Sequence, residues 1–200
     1  VLLGENTYSD VNGDYRGFDR KVHHVAPGHI QYANFSGWDV YRSQLQLVTW
    51  LDPTIGSDIA QSLLNQANQN NGVWDRWTHI TGATSVMNGD PSPPAIAAIY
   101  AFGGRDFDLK GAYASLLKGA TTPTALDISA RGCPVQCVGE RPALDQWLKL
   151  HYMPAGTGWG SAADTLEWAA ADFGVAQLAE YVGDDVDAKL FRERAGWWRK

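Results

Sequence analysis

The chain has 200 residues and a formal net charge of −6, which allows one or two domains with a sizeable core. Its lysines and arginines form no basic stripe, so nucleic acid is not an expected partner. The sequence contains no run of about 18 apolar residues, so no membrane span is expected. Nine tryptophans and eight tyrosines occur. Such amphipathic rings hold apolar surface beside polar groups, in sugar-binding sites and in ordinary cores alike.

Residues 1–35 are expected to form an irregular lead-in segment, because glycine and proline interrupt its short apolar pieces. Within it, Asp10, Asn12 and Asp14 have the spacing of the first oxygen ligands of a calcium loop. The glycine and the glutamate that such a loop requires at later positions are absent. We therefore interpret these residues as a plain Asx turn, with a calcium site as the alternative.

The stretch 34–53 predicts a helix whose first turn carries an aromatic ring, a carboxylate and a guanidinium. These groups belong to Trp38, Asp39 and Arg42, and their spacing lets all three share one surface. Ser36 is a candidate N-cap, and the nearly continuous apolar surface of the other residues predicts a buried helix. A charged cluster at the start of a buried helix suggests a polar cavity there. The alternative is that Asp39 caps the helix and simply pairs with Arg42.

The rest of the chain predicts further helices joined by loops, in the manner of stacked helical hairpins. They span residues 54–71, 95–101, 109–119, 141–150, 161–182 and 185–198. Ser57 and Asp108 are the expected N-caps of two of them. Ser161 and Asp164 are expected to form a capping box, with Gly183 as the stop of the same helix. The total is about seven helices, and no strand pattern is visible after residue 35, so an all-α fold is predicted.

A close cysteine pair, Cys133 and Cys137, lies in a long loop predicted at 120–140. The pair lacks the second half of a zinc site, so no metal site is predicted there. We expect a disulfide that closes this short loop, which would imply an oxidising compartment. Two free thiols are the alternative.

Several segments resemble glycoside hydrolase family 92, the calcium-dependent exo-acting α-mannosidases. The most specific segments are SGWDVYR and DTLEWAAADF, and SDVNGDYRGFD, SDIAQSLL and AIYAFGGRDFD accompany them in the family's order. The resemblance covers nearly the whole chain. It implies that residues 36–200 form the first part of a catalytic domain built as an (α/α)6 barrel, which follows a β-sandwich in the family. About seven helices would correspond to the first half of that barrel.

The resemblance further implies hydrolysis of terminal α-linked mannose with inversion, assisted by calcium. An inverting enzyme holds its acid and base carboxyl groups about 6.5–9.5 Å apart, so that a water molecule fits between them. The Glu-Gly-Asn and Asn-Asp-Asp motifs that carry these groups in the family are absent here. We therefore expect the catalytic acid, the base and the calcium ligands outside these 200 residues.

The same resemblance sets the expected partners and location. The partners are a mannose-containing glycan and the remainder of the catalytic domain, in the same gene product or on a second chain. Residue 1 is not a methionine, so we expect that an upstream portion was removed or lies on another chain. A secreted or periplasmic location is expected.

Six residues are expected to bind the substrate: Trp38, Asp39, Arg42, Trp77, Asp90 and Glu167. By the resemblance, Asp39 would accept hydrogen bonds from mannose hydroxyls, Arg42 would orient Asp39, and Trp38 would wall the pocket. Trp77 and Asp90 would lie in a loop that faces the cavity, with an ordinary turn as the alternative. Glu167, near the start of a buried helix, needs a partner, and both a sugar contact and an arginine pair are open.

The sequence leaves two other hypotheses open. The chain could be a non-catalytic carbohydrate-binding helical protein that keeps the sugar-binding cup without the acid and the base. It could also be a structural helical domain whose tryptophans serve only packing. The mass of the natural product distinguishes the first hypothesis from the enzyme, because a product near 21.9 kDa would lack the catalytic motifs.

Overall fold

The computed structural model describes residues 6–80, 82–130, 138–157 and 160–199, and these residues are predominantly helical. The helices are α1 Gly37–Val40, α2 Gln44–Leu51, α3 Pro53–Gln69, α4 Ser92–Ala101, α5 Leu109–Thr121, α6 Ala125–Ser129, α7 Leu144–Leu150, α8 Ala162–Val182 and α9 Asp185–Arg194, followed by a 3₁₀ turn at Trp197–Arg199. The strands are β1 Asn6–Thr7, β2 Asp14–Arg16, β3 Val22–His24, β4 Tyr32–Ala33, β5 Thr78–His79 and β6 Gly82–Ala83. The predicted helical fold class is confirmed. None of the helices in the described ranges has the length and apolar character needed to cross a bilayer.

Each predicted helix occurs, with shifted ends, but the pattern missed three features. The first predicted helix is divided into α1 and α2, α6 lies inside the predicted loop at 120–140, and β5 pairs with β6 in a small hairpin. The lead-in segment also contains regular structure, because β1 pairs with β4 and β2 pairs with β3. The expected Cys133–Cys137 disulfide lies outside the described residues and stays a prediction.

The prediction that the stretch 34–53 is one buried helix is wrong. Val40 and Leu45 are fully buried, but Leu47, Trp50 and Leu51 are 53%, 68% and 70% exposed. These three side chains therefore face away from the core that the described residues form. An apolar helix surface predicts that the helix packs against other elements, but it does not identify which elements they are.

The junction between α2 and α3 shows how local sequence sets the helix ends. Asp52 is extended, with φ −146° and ψ 97°, as expected before Pro53. Its carboxylate accepts hydrogen bonds from the backbone N–H groups of Thr54 and Ile55 at 3.0 and 3.3 Å, so Asp52 is the N-cap of α3. The expectation that Ser57 caps this helix is wrong, because its hydroxyl donates instead to the backbone oxygen of Pro53 at 2.7 Å.

Helix α8 is the central helix of the described fold and packs against α4, α5 and α9. Its Val175 belongs to the same buried core as Ile96 of α4, Leu116 of α5 and Phe191 of α9. The contact with α4 is especially close at Gly174. A Cβ there would lie 2.5 Å from the backbone nitrogen of Pro94, nearer than real Cβ contacts come. The glycine therefore permits the backbones of α4 and α8 to approach.

Gly174→Ala is expected to destabilise the protein by about 1–3 kcal/mol, because the added methyl group must push α4 away from α8. The measurement is the thermal unfolding midpoint of the complete protein that contains this chain. Gly82→Ala is the matched control, since a Cβ at Gly82 meets nothing within 4 Å. An unfolding midpoint for Gly174→Ala that equals or exceeds the wild-type value would show that the helices can separate at no cost.

The turn at residues 10–14 is an Asx turn, as interpreted from the sequence. The side-chain oxygen of Asn12 accepts a hydrogen bond from the backbone N–H of Asp14 at 3.1 Å. The Asp14 carboxylate also contacts Nδ1 of His24 at 2.9 Å, which lowers the pKa of Asp14. This carboxylate is engaged in the pairing of β2 with β3, so the structure gives no support to the calcium-loop alternative.

Candidate functional site

An open cavity of about 470 Å³ lies where α1 meets the beginning of α8. Its volume is within the range of about 300–1,000 Å³ that is usual for small-molecule sites. The lining residues are Trp38, Arg42, Asn88, Gly160, Ala163 and Glu167. Three of the six predicted substrate-binding residues are therefore brought together, although Glu167 is far along the chain from Trp38 and Arg42. We call this space the Trp38 cavity.

Trp38 forms a fixed wall of the Trp38 cavity. Its indole Nε1 donates a hydrogen bond to the backbone oxygen of Asn88 at 2.8 Å, and the ring is partly buried. Because the polar edge of the indole is held by the backbone, the rest of the ring remains a rigid apolar surface. A partly buried ring with a satisfied N–H suits contact with the apolar face of a sugar.

Arg42 and Glu167 form the charged side of the Trp38 cavity. A guanidinium nitrogen of Arg42 lies 3.5 Å from a carboxylate oxygen of Glu167, and the Glu167 side chain is only 19% exposed. Burial raises the pKa of Glu167, whereas Arg42 lowers it to a smaller extent. Of the two possibilities left open for Glu167, the arginine pair is present. A sugar contact by the same carboxylate stays a prediction.

The expected pairing of Arg42 with Asp39 is wrong. Arg42 Nε donates to the backbone oxygen of Trp38 at 2.8 Å, and the end of its side chain lies against Glu167. Asp39 is exposed and does not line the Trp38 cavity. Sequence spacing placed Asp39 and Arg42 on one surface, but it could not indicate a partner on α8. A role for Asp39 in binding sugar hydroxyls stays a prediction.

Asp90 is a buried structural residue, so its expected contact with a sugar is replaced by an ion pair. It is 2% exposed, and its carboxylate accepts a hydrogen bond from Nε of Arg141 at 2.8 Å. Burial raises the pKa of Asp90, against the opposing effect of Arg141. Additional polypeptide could only bury this group further. Asp90 therefore anchors the loop that presents Asn88, and does not itself face the cavity.

Trp77 lies near this loop but does not line the Trp38 cavity. It is partly buried and forms an isolated antiparallel bridge with Ser36. Its backbone oxygen also accepts a hydrogen bond from the Thr84 hydroxyl. The structure thus gives Trp77 a part in fixing the chain before α1, and its expected contact with a sugar stays a prediction.

The catalytic-domain model described as "Glycosyl hydrolase family 92 catalytic domain" matches residues 1–200 of this chain. The chain belongs to glycosyl hydrolase family 92. The family resemblance drawn from the sequence segments is therefore confirmed. No curated protein sequence matches the chain.

Solved structures of family 92 enzymes have the same fold as this chain. The chain resembles the alpha-mannosidase BT3965 from Bacteroides thetaiotaomicron, whose structure is a complex with mannoimidazole. The two share 24% sequence identity with a TM-score of 0.82, and the match covers 96% of this chain and 23% of that chain. It also resembles the inverting mannosidase BT2199 from Bacteroides thetaiotaomicron VPI-5482 at 25% identity and a TM-score of 0.78, over 100% of this chain and 25% of that chain. The predicted fold, part of an (α/α)6 barrel, is confirmed. The chain spans about a quarter of the length of these structures.

The described residues of this family 92 chain do not fit a calcium site. Across residues 6–80, 82–130, 138–157 and 160–199, no three or more His, Cys, Asp or Glu side chains are grouped so that they could hold a metal ion. The buried carboxylates also have other partners. Asp90 and Asp172 both accept hydrogen bonds from Arg141.

A second cavity, of about 440 Å³, separates the lead-in segment from α3 in this family 92 chain. Its polar lining is already paired internally. Nδ1 of His29 contacts the Asp58 carboxylate at 2.7 Å, and the Asn65 amide donates to Gln31 and accepts from Gln61. The Trp38 cavity is the better candidate site because it combines an aromatic wall, a charged pair and a polar group that pairs with none of the described residues.

The unpaired polar group of the Trp38 cavity is the side-chain amide of Asn88, a residue that was not among the six predicted from the sequence. Asn88 lies in the loop from Trp77 to Asp90 that was expected to face the cavity, between Met87 with φ 67° and Gly89 with φ 83°. A left-handed conformation at a non-glycine residue such as Met87 is uncommon and indicates that tertiary contacts hold the loop. The family resemblance indicated that this loop faces the cavity, but no sequence signal distinguished Asn88 from the other residues of the loop.

Proposed function

We propose that this chain supplies part of the sugar-binding region of a glycoside hydrolase that removes terminal α-linked mannose with inversion. The observation that carries the proposal is the convergence of Trp38, Arg42 and Glu167 on one open cavity. Membership of family 92 makes this enzyme the better hypothesis than a non-catalytic carbohydrate-binding protein.

The chemistry of the Trp38 cavity suits a neutral polyhydroxylated ligand. The indole of Trp38 provides apolar surface for the C–H face of a sugar ring. The guanidinium of Arg42 donates hydrogen bonds only, and the ionised carboxylate of Glu167 accepts them only. A sugar hydroxyl can both donate and accept, so it can lie between the two groups and make charge-assisted hydrogen bonds with each.

The activities of two structural relatives support the substrate class and the stereochemistry. One is described as an alpha-mannosidase in complex with mannoimidazole, and another as an inverting mannosidase. Because this chain covers about a quarter of each, the remainder of the catalytic domain would supply the acid and the base. It would also supply the calcium ligands that the family implies. A secreted or periplasmic location, where mannose-containing glycans are met, belongs to the same proposal.

The complete protein that contains this chain is expected to release mannose from α-mannosides, with the β anomer formed first. Proton NMR recorded within the first minutes of the reaction identifies that anomer, because inversion at an α-linked carbon gives the β product. Chelation of calcium is expected to abolish turnover, and added Ca²⁺, but not Mg²⁺, is expected to restore it. An α anomer formed first, or full activity in chelator, would contradict the inverting, calcium-dependent mechanism.

A further inference from the structure

The position of Asn88 is fixed by contacts on both sides. Its backbone oxygen accepts the indole hydrogen bond of Trp38 at 2.8 Å. Two residues later, Asp90 is held by Arg141, and both side chains of this ion pair are almost completely buried. The loop that carries Asn88 is therefore anchored in the core, and its side chain is held at the Trp38 cavity.

The carboxamide of Asn88 is buried, and no described residue is its hydrogen-bond partner. Asn88 is 5% exposed, and neither its Nδ2 nor its Oδ1 atom makes a hydrogen bond among the described residues. Leaving a buried donor or acceptor unpaired is costly, and native proteins seldom retain such a group without a reason. Asn88 retains two such atoms in a residue that lines the cavity.

The neighbours of this carboxamide do not satisfy it. Asp164 is an acid close to the Asn88 amide. Burial raises the pKa of Asp164 and the Asn88 amide lowers it, but the contact does not reach hydrogen-bond geometry. Gly160 lies on the cavity side, where an added Cβ would come 2.6 Å from Asn88 Nδ2. Any side chain at position 160 would therefore press on the amide, and glycine avoids that contact.

We propose that Asn88 is a specificity-determining residue that contacts the substrate, and that its carboxamide hydrogen-bonds a hydroxyl group of the sugar in the Trp38 cavity. The inference rests on the proposed function and adds a contact to it. An amide both donates and accepts, so it can bind a hydroxyl in the one orientation that the fixed loop allows. A hexose that differs from mannose at that carbon would leave the amide and its own hydroxyl unpaired.

Asn88→Leu in the complete protein tests this role, because leucine has a similar shape and no polar atoms. We expect kcat/KM for an α-mannoside to fall roughly 10- to 100-fold, since a bound hydroxyl loses its partner. We expect the thermal unfolding midpoint without ligand to stay equal or to rise, because the substitution removes two unpaired buried atoms. A merely structural asparagine would give the opposite result, with a lower midpoint and an unchanged kcat/KM.

Asn65→Leu is the matched control. The Asn65 amide donates to Gln31 at 2.9 Å and accepts from Gln61 at 2.9 Å, and it lies outside the Trp38 cavity. Its replacement is expected to lower the unfolding midpoint and to leave kcat/KM unchanged. Monodeoxy α-mannosides provide the second measurement. The substrate that lacks the contacted hydroxyl should show the same kcat/KM with the wild-type protein and with Asn88→Leu.

The outcomes separate this inference from the proposed function. If the wild-type protein neither hydrolyses nor binds α-mannosides, the proposed function fails and the contact fails with it. If the wild-type protein is active and Asn88→Leu retains its kcat/KM, only the role of Asn88 is overturned. If every monodeoxy substrate loses the same factor on substitution, Asn88 contacts no single hydroxyl, and the inference is again overturned.

Discussion

Asp172→Asn is expected to destabilise the protein by about 3–5 kcal/mol, the usual cost of removing one partner from a buried ion pair. Asp172 is completely buried in α8. Its carboxylate accepts hydrogen bonds from Arg141 at 2.6 Å, from Arg194 at 2.8 and 3.1 Å, and from the Trp147 indole at 3.1 Å. The measurement is the thermal unfolding midpoint and the soluble yield of the complete protein.

The size of this effect follows from the charges that remain. With Asp90, the wild-type cluster has two carboxylates and two guanidinium groups, all nearly inaccessible to water. Burial alone would lower the pKa of Arg141, but Asp172 and Asp90 more than compensate and raise it. Asparagine keeps the shape of Asp172 and removes its charge. The variant therefore leaves one uncompensated guanidinium charge in the core.

Glu180→Gln on the same helix is the control for burial. Glu180 also pairs with an arginine, Arg192, but the two side chains are 42% and 48% exposed. An exposed ion pair contributes about 0–1 kcal/mol, so this variant should unfold close to the wild-type temperature. Equal unfolding midpoints for Asp172→Asn and Glu180→Gln would show that the buried cluster is dispensable.

The helix ends that could be predicted are those decided by neighbouring residues. Asp108 caps α5 as expected, with its carboxylate accepting from Gly111 at 2.8 Å, and Gly183 ends α8 with φ 82°. The expected capping box of Ser161 and Asp164 at the start of α8 is wrong. The side chain of Ser161 makes no cap hydrogen bond, and Asp164 accepts from the backbone N–H of Gly160 at 3.2 Å, one residue before the N-cap. Local rules worked where no tertiary contact competed with them.

The candidate site was predictable in its residue types but not in its contacts. The sequence drew attention to Trp38, Arg42 and Glu167, and the fold brings them to one cavity. It could not show that Arg42 turns from Asp39 toward Glu167, because that choice depends on where α8 packs. The burial of Asp90 likewise depends on its pairing with Arg141, which sequence patterns gave no reason to select.

Helix α8 links the stability of this fold to its candidate site. Glu167, near its beginning, lines the Trp38 cavity, and Asp172 further along the same helix holds the buried cluster. Arg141 connects that cluster to Asp90, and thereby to the loop that carries Asn88. The cluster thus fixes both sides of the cavity relative to one another. Because a binding site must hold its groups within about 0.5 Å, costly buried charges at this position have a functional explanation.

Glu167→Gln is expected to weaken the binding of mannose to the complete protein roughly 10- to 100-fold, the usual effect of losing a hydrogen bond to a charged group. Glutamine keeps the size of the side chain but removes the negative charge that faces Arg42 at 3.5 Å. The measurement is the inhibition constant of mannose as a competitive product inhibitor. Glu180→Gln serves as the control, since it removes an arginine-paired carboxylate from the exposed part of α8.

The pH dependence of the same constant distinguishes a binding carboxylate from a structural one. Burial is the largest effect on Glu167 and raises its pKa, so this carboxyl takes up a proton at a higher pH than an exposed glutamate does. The protonated form no longer pairs with Arg42 as an anion. Mannose affinity in the wild-type protein should therefore be full above this raised pKa and should decline as the pH falls through it. Glu167→Gln should remove that decline and bind weakly at every pH.

Asp39→Asn completes the comparison, because Asp39 was the other carboxylate expected to bind the sugar. If Glu167 is the acceptor in the cavity, Asp39→Asn should retain both the wild-type affinity and its decline at low pH. Wild-type affinity in Glu167→Gln, together with a large loss in Asp39→Asn, would place the sugar on the exposed side of α1. The Trp38 cavity would then be a packing gap between α1 and α8, and its charged pair would serve only to join the two helices.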